Sequence, residues 1–475
     1  MLDVAIRGAT LVTAEGMQRA DLGIQGGVVA AIAARLPEAR RVVEADGLWL
    51  MPGGVDPHCH IEEPAPDGTV MEEGFESASR SALAGGTTSV VCFVPQWKGG
   101  GVLERFREQK RRAARAMVDV AFHQIVTDPV PEVLERELPA LVEQGVRSLK
   151  AFLTYDPLVL DDGAFLKVLA AARRLGCLVT VHCENHHAIA HRIAALKAAG
   201  LEAPFAHALA RPPVVEREAT HRAIALAEML DQPLQVFHVS CAEAAEEIAR
   251  AQARGVQVWG ETCPQYLVLT ADDMARPGGE GAKFMCSPAP RAAAEQERLW
   301  AMIRRGVLDV VSSDHCGFSF GGTRGKRPGG RDAPFDQVPN GIPGLQARLP
   351  LLFSEGVAAG RITPEHFVRL VAANPARMMG LWPRKGSLHI GADADCVLWD
   401  PKAERVLSNA AAQHAIDYTP YEGRAVTGWP VMVLRRGEVV MEGDVVAAAP
   451  GSGEWLPRGP YDLIRPRGGL EPWLA

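Results

Sequence analysis

The sequence predicts an α/β fold: a (β/α)8 TIM barrel carrying a small β-sandwich assembled from both chain ends. Three observations lead there. Apolar β-like runs recur at intervals that suit strand–helix units. Five of those runs end in histidine, lysine or aspartate. Short β-like runs broken by glycines occupy the two ends of the chain.

Eight runs fit the barrel strands, at about 48–56, 87–94, 118–126, 146–153, 177–183, 234–240, 256–263 and 307–314. A whole barrel takes about 250 residues, so one unit takes roughly 30–40. Lys150 to His182 is one such unit, His60 to Lys150 fits three, and His238 to Asp314 fits two. His182 to His238 is long for one, and ALKAAGLEAPFAHALARPPVV within it reads as an insertion with a loop at 204–216. FESASRSALAGG, FLKVLAAARRLG and TPEHFVRLVAANPARMMG carry helix-period apolar positions and glycine stops. DVAIRGATLVTAEG, ADLGIQGG and VVAAIAA at the start share their texture with GSLHIGADADCVLWD and GWPVMVLRRGEVVMEGDVV near the end. The predicted division is therefore 1–48 plus 381–446 as the sandwich and 49–380 as the barrel. Residues 447–475 form a tail, either disordered or an arm on a neighbouring subunit. The Gly/Pro-rich stretch 317–345 follows the last ligand strand and is expected to be a lid or wall of the site, as long loops in compact domains usually are functional.

At 475 residues the chain exceeds one barrel, and its 47 % hydrophobic and 23 % charged fractions are those of a soluble globular protein. A net charge of −7 gives no reason to expect nucleic acid or an anionic membrane as partner. The start, MLDVAIRGATLV, does not read as a signal peptide, and no apolar run approaches the roughly 20 residues of a membrane span. Nine scattered cysteines without a CxxC fit reduced thiols in a cytoplasm.

The residues ending the runs are His58 and His60 in VDPHCH, Lys150 in VRSLKAF, His182 in VTVHCEN, His238 in VFHVSC and Asp314 in VVSSDHC. They fall on strands one, four, five, six and eight, at the face where barrel enzymes place their chemistry. Imidazoles suit zinc and related divalent ions, and a carboxylate completes such a set. A lysine does not, because an ammonium repels metal. Alone, Lys150 would read as a salt bridge at a strand end. Among four histidines and an aspartate it reads as a carbamate formed with carbon dioxide, whose two oxygens can bridge two metals. Two metals about 3.5–4 Å apart can hold a hydroxide at neutral pH and polarise a carbonyl. Asp314 would ligate one and carry the proton to the leaving nitrogen. Cys59 points away from its flanking histidines if the segment is extended. His186, His187 and His191 read as a solvated helix face, and His315 as an orienting neighbour of Asp314. His123, His207, His221, His366, His389 and His414 read as structural.

GGVDPHCHIEEP, DGTVMEEGFESASRSALAGGTTSV, SLKAFLTY, GETCPQYLVL, KFMCSPAPR, SSDHCGF, PNGIPG and NPARMMGLWPRKGSLHIGADADCVLWDP carry a resemblance. Across nearly its whole length the chain resembles the dihydropyrimidinase/D-hydantoinase branch of the cyclic amidohydrolases. The resemblance implies a binuclear centre, usually Zn2+, bridged by carboxylated Lys150. It implies ring opening of a cyclic amide to an N-carbamoyl amino acid, and a homotetramer or homodimer. It assigns His58, His60, Lys150, His182, His238 and Asp314 to the metals and Tyr155 to the developing oxyanion. Ser287 and Asn340 match residues whose backbone groups hold the imide edge of the ring; outside that frame both are turn residues. Allantoinase and cyclic-imide hydrolase are the neighbouring alternatives, and a non-catalytic relative is disfavoured by the complete ligand set. Dihydroorotases typically carry arginine where this chain has Glu62. Glu62 is thus expected at the pocket mouth, repelling anionic rings. Ile61–Pro66, FVPQWKGGG and DPLVLDD depart from the family pattern and leave the ring substituent open.

Overall fold

The computed structural model describes residues 1–64, 71–321 and 324–468. Its central sheet contains β1 (Gly54–His60), β2 (Thr87–Val94), β3 (Asp119–Ile125), β4 (Ser148–Phe152), β5 (Leu178–His182), β6 (Leu234–Val236), β7 (Val258–Thr262), β8 (Leu308–Val311) and β9 (His315–Cys316). Neighbours pair in parallel from β8 back to β1, and β1 pairs with β9. Since β8 and β9 are two pieces of one strand interrupted at 312–314, the sheet closes on itself as an eight-stranded barrel. The parallel strands are covered on both faces, which is why β2 (TTSVVCFV) is buried throughout and continuously apolar from Val90 to Val94 instead of alternating. Helices follow the strands, and local sequence delimits them. Asp161 accepts from the Ala164 amide to open helix Asp162–Leu175, and Gly176 at φ 63° ends it.

Closure between β1 and β8 is secured by Arg348, fully buried, which donates to the Val55 carbonyl at 3.1 Å and the Val311 carbonyl at 3.0 Å. Its guanidinium also lies 3.4 Å from the buried Asp56 carboxylate, which accepts from the Ser313 amide just before Asp314.

Both chain ends build the flanking sheets. Strands Leu2–Arg7, Asp21–Gln25, Val28–Ala33 and Ala39–Glu44 form a four-stranded sheet. A seven-stranded sheet joins Thr10–Val12, Met17–Arg19 and Trp49–Pro52 to Cys396–Val406, Ala425–Arg435, Glu438–Glu442 and Val445–Val446, the two groups meeting where Trp49–Pro52 pairs with Cys396–Trp399. Their shared core includes Ile6, Leu22, Leu50, Leu398 and Leu434.

Three sequence expectations need correction. The run expected at 48–56 as the first barrel strand is two strands: Trp49–Pro52 pairs antiparallel with Cys396–Trp399 in the sandwich, and the barrel strand starts at Gly54. Glycines at 53 and 54 permit that change of sheet, because a Cβ at 53 would lie 2.2 Å from the Thr88 hydroxyl. The loop expected at 204–216 is largely helical, with Ala206–Ala210 followed by a helix that starts at Pro213, where proline suits the first turn. The tail, through residue 468, packs on the chain's own barrel. Leu456 donates to the Val120 carbonyl at 2.8 Å, and Trp455 lies 5.0 Å from Phe122, ring to ring. Residues 469–475 lie outside the described residues.

Candidate metal centre

A cavity of about 610 Å³ opens at the C-terminal ends of the barrel strands, and all nine candidate site residues line it. β1 supplies His58 and His60, side chains two apart and hence on the same face. His58 Nδ1 is 2.7 Å from Glu261 Oε1 and its Nε2 is 3.0 Å from Asp314 Oδ1. His60 repeats the arrangement, with Nδ1 at 2.6 Å from Glu63 Oε2 and Nε2 at 3.6 Å from the same Asp314 oxygen. One ring nitrogen is thus occupied by a glutamate, and the other faces the centre. Potential ligand atoms of His58, His60 and Asp314 all lie within 4.8 Å of one another. Burial, followed by the adjacent Lys150 and His60, holds His58 well below the ordinary imidazole range, so it offers a neutral lone pair.

On the other side, His182 closes β5 and stands ring to ring with His238, centroids 4.4 Å apart. His182 Nε2 lies 2.8 Å from Glu184, whose carboxylate pairs with Arg211 at 2.7 Å. Burial alone would raise Glu184, but Arg211 and then His182 bring it down to about 2, so it is an acceptor at neutral pH. His182 therefore donates through Nε2 and keeps Nδ1 as its free lone pair. His238 Nδ1 is buried with no hydrogen-bond partner among the described residues.

Lys150, fully buried on β4, lies between these groups. Among the described residues its Nζ has no hydrogen-bond partner, and it stands 4.3, 4.8 and 5.7 Å from the rings of Phe237, Phe152 and Phe93. Burial lowers its pKa to about 8, against the opposing pull of Asp314 and Glu261. Four imidazoles, a carboxylate and an orphaned amine of lowered basicity make a donor set that fits divalent ions.

Tyr155, His238 and Asp314 have φ values of 70°, 41° and 48°. Left-handed backbone is uncommon outside glycine and concentrates where side chains must be aimed. At Asp314 this conformation interrupts the strand between β8 and β9 and presents the carboxylate to His58 and His60. Tyr155 stands 5.2 Å from the His182 ring, and burial holds its hydroxyl above the ordinary tyrosine range, hence protonated. Ser287 Oγ is 3.3 Å from His207 Nε2, and Asn340 Oδ1 is buried without a partner among the described residues.

Comparison with known proteins places this architecture. Residues 49–440 match the model of the amidohydrolase family. The chain belongs to the amidohydrolase family. It is 42 % identical to a D-hydantoinase of Rhizobium radiobacter over 462 residues, 97 % of this chain and 100 % of that one. A D-hydantoinase of Geobacillus stearothermophilus is 42 % identical over 463 residues, 97 % of each chain. The crystal structure of a dihydropyrimidinase from Brevibacillus agri superposes with a TM-score of 0.94 at 40 % identity, over 97 % of this chain and 100 % of that one.

Four residues of this amidohydrolase site escaped the sequence reading: Glu63, Glu184, Glu261 and Arg211. A glutamate within the apolar run VQVWGETC was a usable signal for Glu261, since an acid inside a strand buried on both faces needs a partner. Arg211 had none, because the intervening helices alone bring it to Glu184. Among the other histidines, His187 and His191 are exposed, but His186 and His207 line the cavity. His315 contacts Glu73 at 3.0 Å and accepts from the Gly344 amide, without touching a candidate ligand. The wall expected from 317–345 is present, since Phe318, Arg324 and Phe335 line the cavity; residues 322–323 lie outside the described ones.

Glu62 is not at the cavity. Its carboxylate accepts from the Phe75 amide at 3.2 Å and pairs with Arg112 at 3.3 Å. The cause is its φ of 48°, which turns the chain so that Glu63, not Glu62, faces His60. Ala65 and Pro66 of the same departure lie outside the described residues. Glu62→Arg should accordingly leave the ratio of kcat/KM for dihydrouracil and dihydroorotate unchanged within about twofold. Steady-state assays on both substrates check this, and a tenfold shift toward dihydroorotate would return Glu62 to the pocket.

Proposed function

We propose that this chain is a metal-dependent hydrolase that opens a cyclic amide of the dihydropyrimidine or hydantoin type to an N-carbamoyl amino acid. The observation that carries the reading is Lys150: a fully buried amine without a hydrogen-bond partner among the described residues, amid four histidines and an aspartate. Full-length similarity to D-hydantoinases supports the substrate class. In this reading the neutral Lys150 nitrogen attacks carbon dioxide, forms a C–N bond and loses its proton to solvent, leaving a carbamate. His58, His60 and Asp314 would hold one divalent ion and His182 and His238 a second, with the carbamate shared. Zinc is our assignment for both. Such ions activate water at neutral pH and polarise the scissile carbonyl.

The chain's own groups do the rest. Ser287 and Asn340 backbone groups receive the imide edge of the ring. Asp314 accepts the proton of the attacking water and returns it to the ring nitrogen as the C–N bond breaks. The protonated Tyr155 hydroxyl donates to the oxygen on which negative charge develops. Glu261, Glu63 and the Glu184–Arg211 pair hold the imidazoles in the required tautomers and orientations.

A homotetramer or homodimer is part of this proposal, testable by sedimentation. So is a reducing compartment, to which nine buried free thiols are suited. No helix among the described residues is long and apolar enough to cross a membrane. The test of function is turnover of dihydrouracil, hydantoin, both enantiomers of 5-substituted hydantoins, allantoin and succinimide, alongside metal analysis. Allantoin or succinimide as the sole substrate would replace the reading with a neighbouring one.

A further inference from the structure

Lys326 lies in the segment that walls the cavity, yet it is fully buried and outside the cavity lining. Its Nζ donates to the Met285 carbonyl at 2.7 Å and the Pro339 carbonyl at 2.6 Å. Met285 is two residues before Ser287, and Pro339 immediately precedes Asn340. One side chain thus ties together the two strands of chain that carry the residues assigned to the imide edge. The Gly341 amide adds a third tie by donating to the Met285 carbonyl at 3.0 Å.

The surroundings are built for this contact. The Lys326 amide donates to the Ser319 carbonyl at 2.8 Å. A Cβ on the preceding Gly325 would lie 2.1 Å from that same oxygen, so position 325 accepts no larger residue without a backbone shift. Gly341 has a φ of 128°, and a Cβ on it would lie 2.4 Å from Cys316 Sγ, so the loop carrying Asn340 packs directly on the chain after Asp314. Among the described residues no carboxylate pairs with Lys326, and the titratable groups acting on it are the buried thiols Cys286 and Cys316. Burial lowers its pKa to about 7. A lysine buried without an acid is costly, and an apolar side chain of similar length would avoid that cost. Its place is explained by the Pro339 carbonyl, which among the described residues would otherwise be an orphaned acceptor, and by the bridge from there to the Met285 carbonyl that the Gly341 amide already reaches.

We infer that Lys326 is a positioning residue for substrate affinity, a clamp that sets the separation of the Ser287 and Asn340 segments and so the fit of the imide edge. The inference rests on the cyclic-amide reading. It assigns Lys326 to ring binding and not to bond cleavage, because the clamp acts on the cradle and leaves the metal ligands untouched.

Lys326→Met in the metal-loaded protein should raise KM for hydantoin or dihydrouracil roughly tenfold, the scale of one or two hydrogen bonds misplaced. kcat at saturation should stay within about twofold, and metal content should be unchanged. Amide hydrogen exchange should accelerate at Met285, Cys286 and Ser287 and at Asn340 and Gly341 together. Lys326→Ala leaves space for an added alkylamine, and propylamine should restore both KM and exchange protection, whereas the methionine of Lys326→Met, which fills the same space without donors, should restore neither. An unchanged KM in folded, metal-loaded Lys326→Met overturns the inference, and so does a loss of kcat together with metal. If the unmodified enzyme turns over none of the rings, the functional reading fails instead; should exchange stay unaltered in Lys326→Met, the clamp fails independently of activity.

Discussion

Lys150→Ala should lose most of its bound metal and turnover falling by about 10²-fold or more, with partial recovery of both in acetate or propionate. The substitution removes the one amine among the described cavity-lining residues at the centre that can become a bridging carboxylate, and a small carboxylic acid can enter the space vacated. The magnitude follows from losing the activated water, worth several kcal/mol of barrier. Metal analysis and steady-state rates with and without acid are the measurements. Full metal content with undiminished turnover in Lys150→Ala would remove the carbamate from the reading. The metal-stripped protein offers a second check. Folding holds the Lys150 pKa at about 8 against 10.5 for a free lysine. Below pH 8 both states bind the proton and the buried ammonium carries its full penalty. Between about 8 and 10.5 only the unfolded chain binds it, so this one group's contribution to stability rises with pH, by about 3 kcal/mol in total. Denaturant unfolding of stripped protein across that range should show that contribution as the difference between the unmodified chain and Lys150→Met, in which the other titrating groups cancel.

Asp314→Asn should lower kcat by about 10²-fold or more while KM changes little, because the amide keeps an oxygen but cannot carry a proton. Asp314 is suited to the shuttle by position: one carboxylate oxygen lies 3.0 Å from His58 Nε2 and 3.6 Å from His60 Nε2, and its backbone is held left-handed where the strand breaks. Metal content must be measured beside kcat, since a variant that loses its ions loses rate for another reason. A metal-loaded Asp314→Asn with preserved kcat and a raised KM would make Asp314 a binding residue only.

The sequence read the barrel and its ligand strands well because both are local signals. Buried parallel strands are continuous apolar runs, and an imidazole at the end of such a run has nowhere to face but the C-terminal opening of the barrel. The spacing of those runs then gives the order of strands around the barrel. The sheets built from the two chain ends were legible for the same reason, as repeated glycine-broken β texture.

What sequence reading missed required knowing the backbone conformation or a distant partner. Trp49–Pro52 and Gly54–His60 form one apolar run, and only packing assigned the first half to Cys396–Trp399 and the second to the barrel. Glu62 and Glu63 are adjacent acids, and the left-handed turn at Glu62, absent from any periodicity, decided which of them meets His60. By itself the sequence determined the fold class and the six residues proposed as ligands, because strand burial and metal chemistry impose short-range patterns on it. Tertiary structure alone decided which groups orient those ligands and clamp the cradle. Arg211 reaches Glu184 and Lys326 reaches Met285 through contacts that leave no periodic trace, since the hydrogen bonds joining them depend on how helices and loops pack.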